Sequence, residues 1–186
     1  MCSLTGDNMG LNIVQIRHQV AKLRANWSHP SYIGGGISGS AYNIGGGMVL
    51  KMGRLDATAE WIRHCAKYFS KHGKAGEFMP EVYHFEQHGN RWWAVMEQVD
   101  VALDLACHER WSHFDALETA ANVIARVIGW EAWSLDLHTG NWGVSKDGKR
   151  LVVFDPSADP GVYRRFSAVG RTKAHHGPQG RHTRWH

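Results

Sequence analysis

Ser134-Leu135-Asp136-Leu137-His138-Thr139-Gly140-Asn141-Trp142-Gly143-Val144, followed after a turn by Leu151-Val152-Val153-Phe154-Asp155, is the stretch that decides how this chain reads. Asp136 and Asn141 stand five positions apart with Gly140 between them. Asp147-Gly148, flanked by Val144 and by the apolar run Leu151 to Phe154, has the composition of a tight hairpin turn. A hairpin there places Asp155 at a strand end, beside the loop that carries Asp136 and Asn141. Two carboxylates and one amide oxygen at one mouth suit a magnesium ion whose remaining ligands are phosphate oxygens.

Upstream, Ile33-Gly34-Gly35-Gly36-Ile37-Ser38-Gly39-Ser40 satisfies Gly-x-Gly-x-x-Gly at Gly34, Gly36 and Gly39. A dinucleotide fold needs a strand before that pattern and a helix after it. Here the segment before is too short, and the segment after, Gly47 to Met52, reads as extended. Residues without side chains let backbone N–H groups approach a phosphate closely. Gly45-Gly46-Gly47 reads as the tip between two strands. Lys51 lies in Val49-Leu50-Lys51-Met52, with apolar neighbours on both sides, and a buried ammonium needs a partner. Asp56 to Ser70 reads as a helix capped by Asp56 or Thr58, with Trp61, Ile62, Cys65, Ala66 and Phe69 on its apolar face. Glu60, in its first turns, is a candidate partner for Lys51. An acid favoured by the helix dipole explains it equally well.

Val82 to Glu86 and Arg91 to Glu97 read as a strand pair around the turn His88-Gly89-Asn90. Met96 to Val99 then forms a connecting hinge. Apolar residues at helical spacing predict helices over Met9–Asn26 and His113–Ile128, the second ended by Gly129. Leu103 to Cys107 reads as a short helix.

The order Asp-Leu-His-x-Gly-Asn, then about fourteen residues to an apolar-Asp pair, resembles the protein-kinase-like superfamily. More narrowly, it resembles the early Ser/Thr protein kinase of T-odd (T-seven group) bacteriophages, in which this loop is followed by Asp-Pro, as Asp155-Pro156 is here. The resemblance covers roughly Ile33 to Asp159. It implies an α+β, minimal bilobal kinase-like fold: a small antiparallel-sheet N-lobe over about 1–98, a truncated, mainly helical C-lobe over about 99–160, and a basic, flexible tail over 161–186. It implies ATP and Mg2+ as cofactors. Gly34, Gly36, Gly39 and Ser40 would lie over the phosphates, with Lys51 bridging them to a helix acid, Glu60. The backbone at Glu97 and Val99 would read the adenine edge, with Met96 bounding the pocket. Asp136 would accept the proton of the attacking hydroxyl; Asn141 and Asp155 would hold magnesium. The implied substrates are host proteins in the host cytoplasm, transcription machinery such as RNA polymerase among them.

The chain departs from the protein-kinase pattern in four places. Ser134-Leu135 stands where His-Arg usually precedes the catalytic Asp, and His138 stands where a Lys usually follows it. Pro156 replaces the Phe of the magnesium loop, and its fixed backbone argues against a Phe-driven switch. Thirty-one residues follow Asp155, which leaves no room for the usual substrate platform. Two alternatives therefore stand beside a protein kinase. One is a pseudokinase-type binding module that inhibits a host enzyme by contact. The other is a small-molecule phosphotransferase, whose loops share the Asp-Leu-His-x-Gly-Asn form.

Composition bounds the rest. With 186 residues, 43% of them apolar, the chain suits one domain or one domain in two lobes. No apolar run reaches the length of a membrane span, and the N-terminus lacks the pattern of a signal peptide. Cys2, Cys65 and Cys107 are odd in number and widely spaced, which predicts free thiols in a reducing compartment. The net charge is +4, yet five Arg and Lys173 follow Gly161 with no acid among them. The body before them is therefore slightly acidic, and the basic character belongs to the tail, which suits nucleic acid or an acidic partner.

Overall fold

The computed structural model describes residues 12–23, 31–35, 39–102 and 112–156. Gly36, the expected short helix at Leu103–Cys107 and the tail from Gly161 lie outside the described residues. The described chain is α+β.

Five strands form the larger sheet: β1 (Tyr32–Gly35), β2 (Gly39–Gly45), β3 (Met48–Arg54), β4 (Val82–His88) and β5 (Arg91–Glu97). All pairs are antiparallel, in the order β1-β2-β3-β5-β4. The tip between β2 and β3 is Gly45-Gly46-Gly47, with φ of 83°, 62° and 72°. Only glycine adopts three such values in a row without steric cost, so this triplet fixes the turn.

Helix α1 (Ile13–Leu23) falls inside the segment expected from periodicity. Helix α2 (Ala57–His72) begins at Asp56, whose Oδ1 accepts the Ala59 N–H at 3.0 Å, and ends at Gly73, whose N–H bonds Phe69 O. Helix α3 (Phe114–Ile128) ends at Gly129 with φ 74°.

Strand alternation sorts the sheet into two faces. Val49, Trp92, Ala94 and Met96 pack with α2, with Ala120 and Ile124 of α3, and with Trp142 and Val153. Tyr42, Leu50, Met52, Trp93 and Val95 pack against Ile16 and Val20 of α1. The sheet is thus covered on both sides. Lys51 shares its face with Val49, towards α2.

The expected hinge, Met96 to Val99, joins the two sheets: β5 ends at Glu97, and after the single residue Gln98 the chain enters β6 (Val99–Val101). Strand β6 pairs with β7 (Trp142–Ser145), which pairs with β8 (Leu151–Val153), all antiparallel. The β7–β8 connection is the expected hairpin, with Gly148 at φ 72°. Gly143 lets β6 and β7 close up, because a Cβ there would stand 2.3 Å from Asp100 O. The second half was expected to be mainly helical. Among its described residues it holds one α-helix, a 3-10 turn at Ala132–Ser134 and this three-stranded sheet. No helix among the described residues is long and apolar enough to cross a membrane.

Candidate functional site

Two sheets meet where β3 faces the end of β8, and the chemistry-bearing residues gather there. Lys51 is buried in mid-strand, opposite Ala41 on β2 and Ala94 on β5. Those two small side chains flank it on its own face and leave space for its stem to extend. Its ammonium reaches the other sheet, with Nζ 2.8 Å from Asp155 Oδ2 and donating to Phe154 O at 3.0 Å. Nζ also lies 5.3 Å from the Phe154 ring centroid, within cation–π range.

Asp155 is held from three directions. Lys51 takes one carboxylate oxygen and the Thr58 hydroxyl donates to the other, Oδ1. The backbone N–H groups of Phe154 and Asp155 both donate to Asn141 O, each at 3.1 Å. Asn141 is buried, and its Nδ2 donates to Asp136 O at 2.6 Å. That bond uses the donor end of the amide and leaves Oδ1 for another partner. Asp136, Asn141 and Asp155 are thus brought together by backbone contacts, with Lys51 arriving from the larger sheet.

The Asp136 carboxylate is half exposed at the mouth. His138 Nε2 lies 3.9 Å from its Oδ2. Gly140 N–H donates to His138 Nδ1 at 2.9 Å, so Nδ1 is the acceptor and Nε2 is the ring nitrogen turned towards Asp136.

Glu60 does not meet Lys51. Its carboxylate, half-exposed, pairs with Arg63 one turn along the helix, and the partner of Lys51 is Asp155. Of the expected phosphate-loop residues, Gly34 lies in β1 and Gly39 and Ser40 begin β2. A Cβ on Gly39 would stand 2.1 Å from Met52 O, so strand packing alone demands a glycine there. Gly34 has open space around it.

At the hinge, Glu97 uses its side chain structurally. Its two oxygens lie 2.8 and 2.9 Å from Arg150 Nη2, and Oε1 also accepts the Glu81 N–H at 2.8 Å. Arg150 Nη1 adds a bond to Met79 O at 3.0 Å. Tyr83 donates to Glu81 nearby; burial, and then the Glu81 charge, push its phenol well up. Val99 contributes backbone. Ser145, opposite Val99, spends its N–H on Arg150 O across the hairpin. In an antiparallel ladder the pair Val99–Ser145 is therefore the non-bonded kind, and Val99 turns its N–H and C=O away from β7, towards the side of β6 on which no described strand pairs.

Among the described residues no three His, Cys, Asp or Glu side chains form a ready-made metal cage. The donors present are hard oxygens, the Asp155 carboxylate and Asn141 Oδ1. Oxygen donors of this kind are ones that magnesium takes beside waters and phosphate oxygens.

Sequence reasoning missed Thr58 as a site residue, and Ala41 and Ala94 as the small neighbours that admit Lys51. No protein-family model and no curated protein sequence matches this chain.

Proposed function

We propose that this chain is a protein serine/threonine kinase that transfers the terminal phosphoryl group of ATP, with magnesium, to a protein hydroxyl. The observation that carries the reading is the Lys51–Asp155 contact of 2.8 Å, with Asn141 and Asp136 joined to the same strand end. A cation from one sheet and a carboxylate, an amide oxygen and a second carboxylate from the other are the groups phosphoryl transfer requires.

Bound magnesium would neutralise charge on the phosphate oxygens. Asn141 Oδ1 and the Asp155 carboxylate are the groups that would hold it. Lys51 would bind phosphate oxygens from the side of the larger sheet. Asp136, exposed at the mouth, would orient the acceptor hydroxyl and take its proton. The outward N–H and C=O of Val99 offer a donor and an acceptor to a base edge. Catalysis of this kind is positioning and electrostatics, with little covalent work for the protein.

The choice of acceptor rests on the resemblance of the loop to phage kinases, with host proteins, transcription machinery among them, as substrates. Purified protein incubated with γ-labelled ATP, magnesium and host lysate should label protein on Ser or Thr. Absence of label on protein, together with label on an aminoglycoside or choline, would replace this reading by a small-molecule phosphotransferase. Absence of all transfer by protein that still blocks a host process would leave a binding module.

A further inference from the structure

We infer that Thr58 is the positioning residue for Asp155, orienting its carboxylate towards a divalent cation. The inference rests on the phosphotransfer reading, because it concerns the cation which that reading places at Asp155.

Thr58 is fully buried, and a buried hydroxyl needs a partner. Its Oγ1 donates to Asp155 Oδ1. Ala57 and Ala59 on either side are also buried, so the start of α2 is pressed against its neighbours with no bulky side chain to hold it off. Three residues on, and so on the same helix face, Trp61 donates Nε1–H to Val153 O at 2.7 Å. The face of α2 defined by Thr58 and Trp61 thus grips the strand end at Val153 and Asp155. Glu60 points elsewhere, to Arg63.

An ionised carboxylate offers about four lone-pair sites. Lys51 takes one on Oδ2 and Thr58 one on Oδ1, so the carboxylate is held at both oxygens and its plane is fixed. A hydroxyl suits this task because it carries no charge: it orients the carboxylate without competing electrostatically with the cation. A helix that contributes a neutral donor also frees the ammonium of Lys51 to act on phosphate while the carboxylate stays oriented.

The test is a calorimetric titration of Mn2+ into the full-length protein saturated with a non-hydrolysable ATP analogue. Thr58→Val keeps the branched shape and removes the hydroxyl; Thr58→Ser keeps the hydroxyl and removes the methyl. Loss of a group that orients a metal ligand costs about tenfold or more in metal affinity, and Thr58→Val should show that loss. Thr58→Ser should remain close to wild type in affinity and in urea midpoint, whereas Thr58→Val, which gives up a hydrogen bond to a charged group, should unfold at lower urea yet stay folded under the conditions of the titration. Should the valine variant fail to fold, Thr58→Ala removes the hydroxyl with less bulk and carries the same expectation. Wild-type manganese affinity in the hydroxyl-free variant overturns the inference alone, as does a serine variant as impaired as valine. Wild-type protein that takes up no manganese-nucleotide overturns the phosphotransfer reading, and this inference with it.

Discussion

Arg150 and Glu97 clamp the two sheets together, one guanidinium nitrogen lying 2.8 and 2.9 Å from the two carboxylate oxygens. Arg150 follows the β7–β8 turn and Glu97 ends β5, so the contact joins the hairpin that bears the site to the end of the larger sheet. Glu97 is nearly buried, and its carboxylate would be left with only the Glu81 N–H if the arginine were removed. Arg150→Ala should therefore lower stability by about 2 kcal/mol, the usual worth of hydrogen bonds to a charged group. Arg150→Lys should recover only part, because an ammonium cannot also span to Met79 O in the same geometry. Urea unfolding of the three proteins decides; equal midpoints would show that the clamp contributes nothing.

Lys51→Met keeps the stem volume between Ala41 and Ala94 and removes the charge. ATP affinity, measured by calorimetry with magnesium, should fall at least about tenfold, roughly 1.4 kcal/mol. Unchanged affinity and unchanged transfer would remove Lys51 from the site.

Asp136 and Asp155 should fail in different ways. Asp155→Asn weakens the cation site and disturbs the Lys51 contact, so metal-nucleotide binding and turnover should fall together. Asp136→Asn leaves that contact intact, so magnesium-ATP should bind nearly as in wild type while turnover drops at least about a hundredfold, roughly 3 kcal/mol of barrier. Equal losses of binding in both variants would contradict the separate roles.

Acid should lower stability in two stages, through groups on β4 and on α2. Burial holds the His84 imidazole below its ordinary 6.5, helped by Arg17 and opposed by Glu86, and its buried Nε2 has no hydrogen bond. Burial, then Lys67, does the same to His64. The hydrogen bond from Arg17 is the first cause that holds the Glu86 carboxyl below its ordinary 4.5. All three are depressed in the folded state, so the unfolded chain binds protons first and stability falls as pH falls. The loss begins near 6.5 for the histidines and near 4.5 for Glu86, down through their lower folded values. Urea midpoints should decline accordingly, and His84→Phe should remove part of the upper stage. An unchanged upper stage in that variant would show that His84 does not contribute to it.

Much of this arrangement is written locally. The glycine tip at 45–47, Gly129 and the Asp147-Gly148 turn each need a residue type that few others can replace and are legible in the sequence, whereas the cap of α2 is narrowed there only to Asp56 or Thr58, and the structure gives it to Asp56. Asp136, Asn141 and Asp155 were legible as a group because of their order around a hairpin. The partner of Lys51 was not, because two acids were available and spacing along the chain says nothing of how a helix is rotated. A signal existed nonetheless. Thr58, Trp61, Ile62 and Cys65 follow the helical i, i+3, i+4, i+7 rule, and Glu60 lies about 100° round from Trp61. Extending the apolar face back to its one polar member would have turned Thr58 inward and Glu60 away. Strand β6 was missed because three residues are too few to show a period.

Lys51 and the Phe154 carbonyl that it grips are 103 positions apart. A polypeptide stopped short of β8 would still carry every strand of the larger sheet, with α1 and α2 on its faces. Its lysine would meet no carboxylate, and Trp61 would have no Val153 carbonyl to dock on. Contacts of such long range form late in folding, after the local hairpins and helices. Any chain that ends before Asp155 therefore lacks the Lys51–Asp155 pair, and the candidate site comes together only once the last described strand is in place.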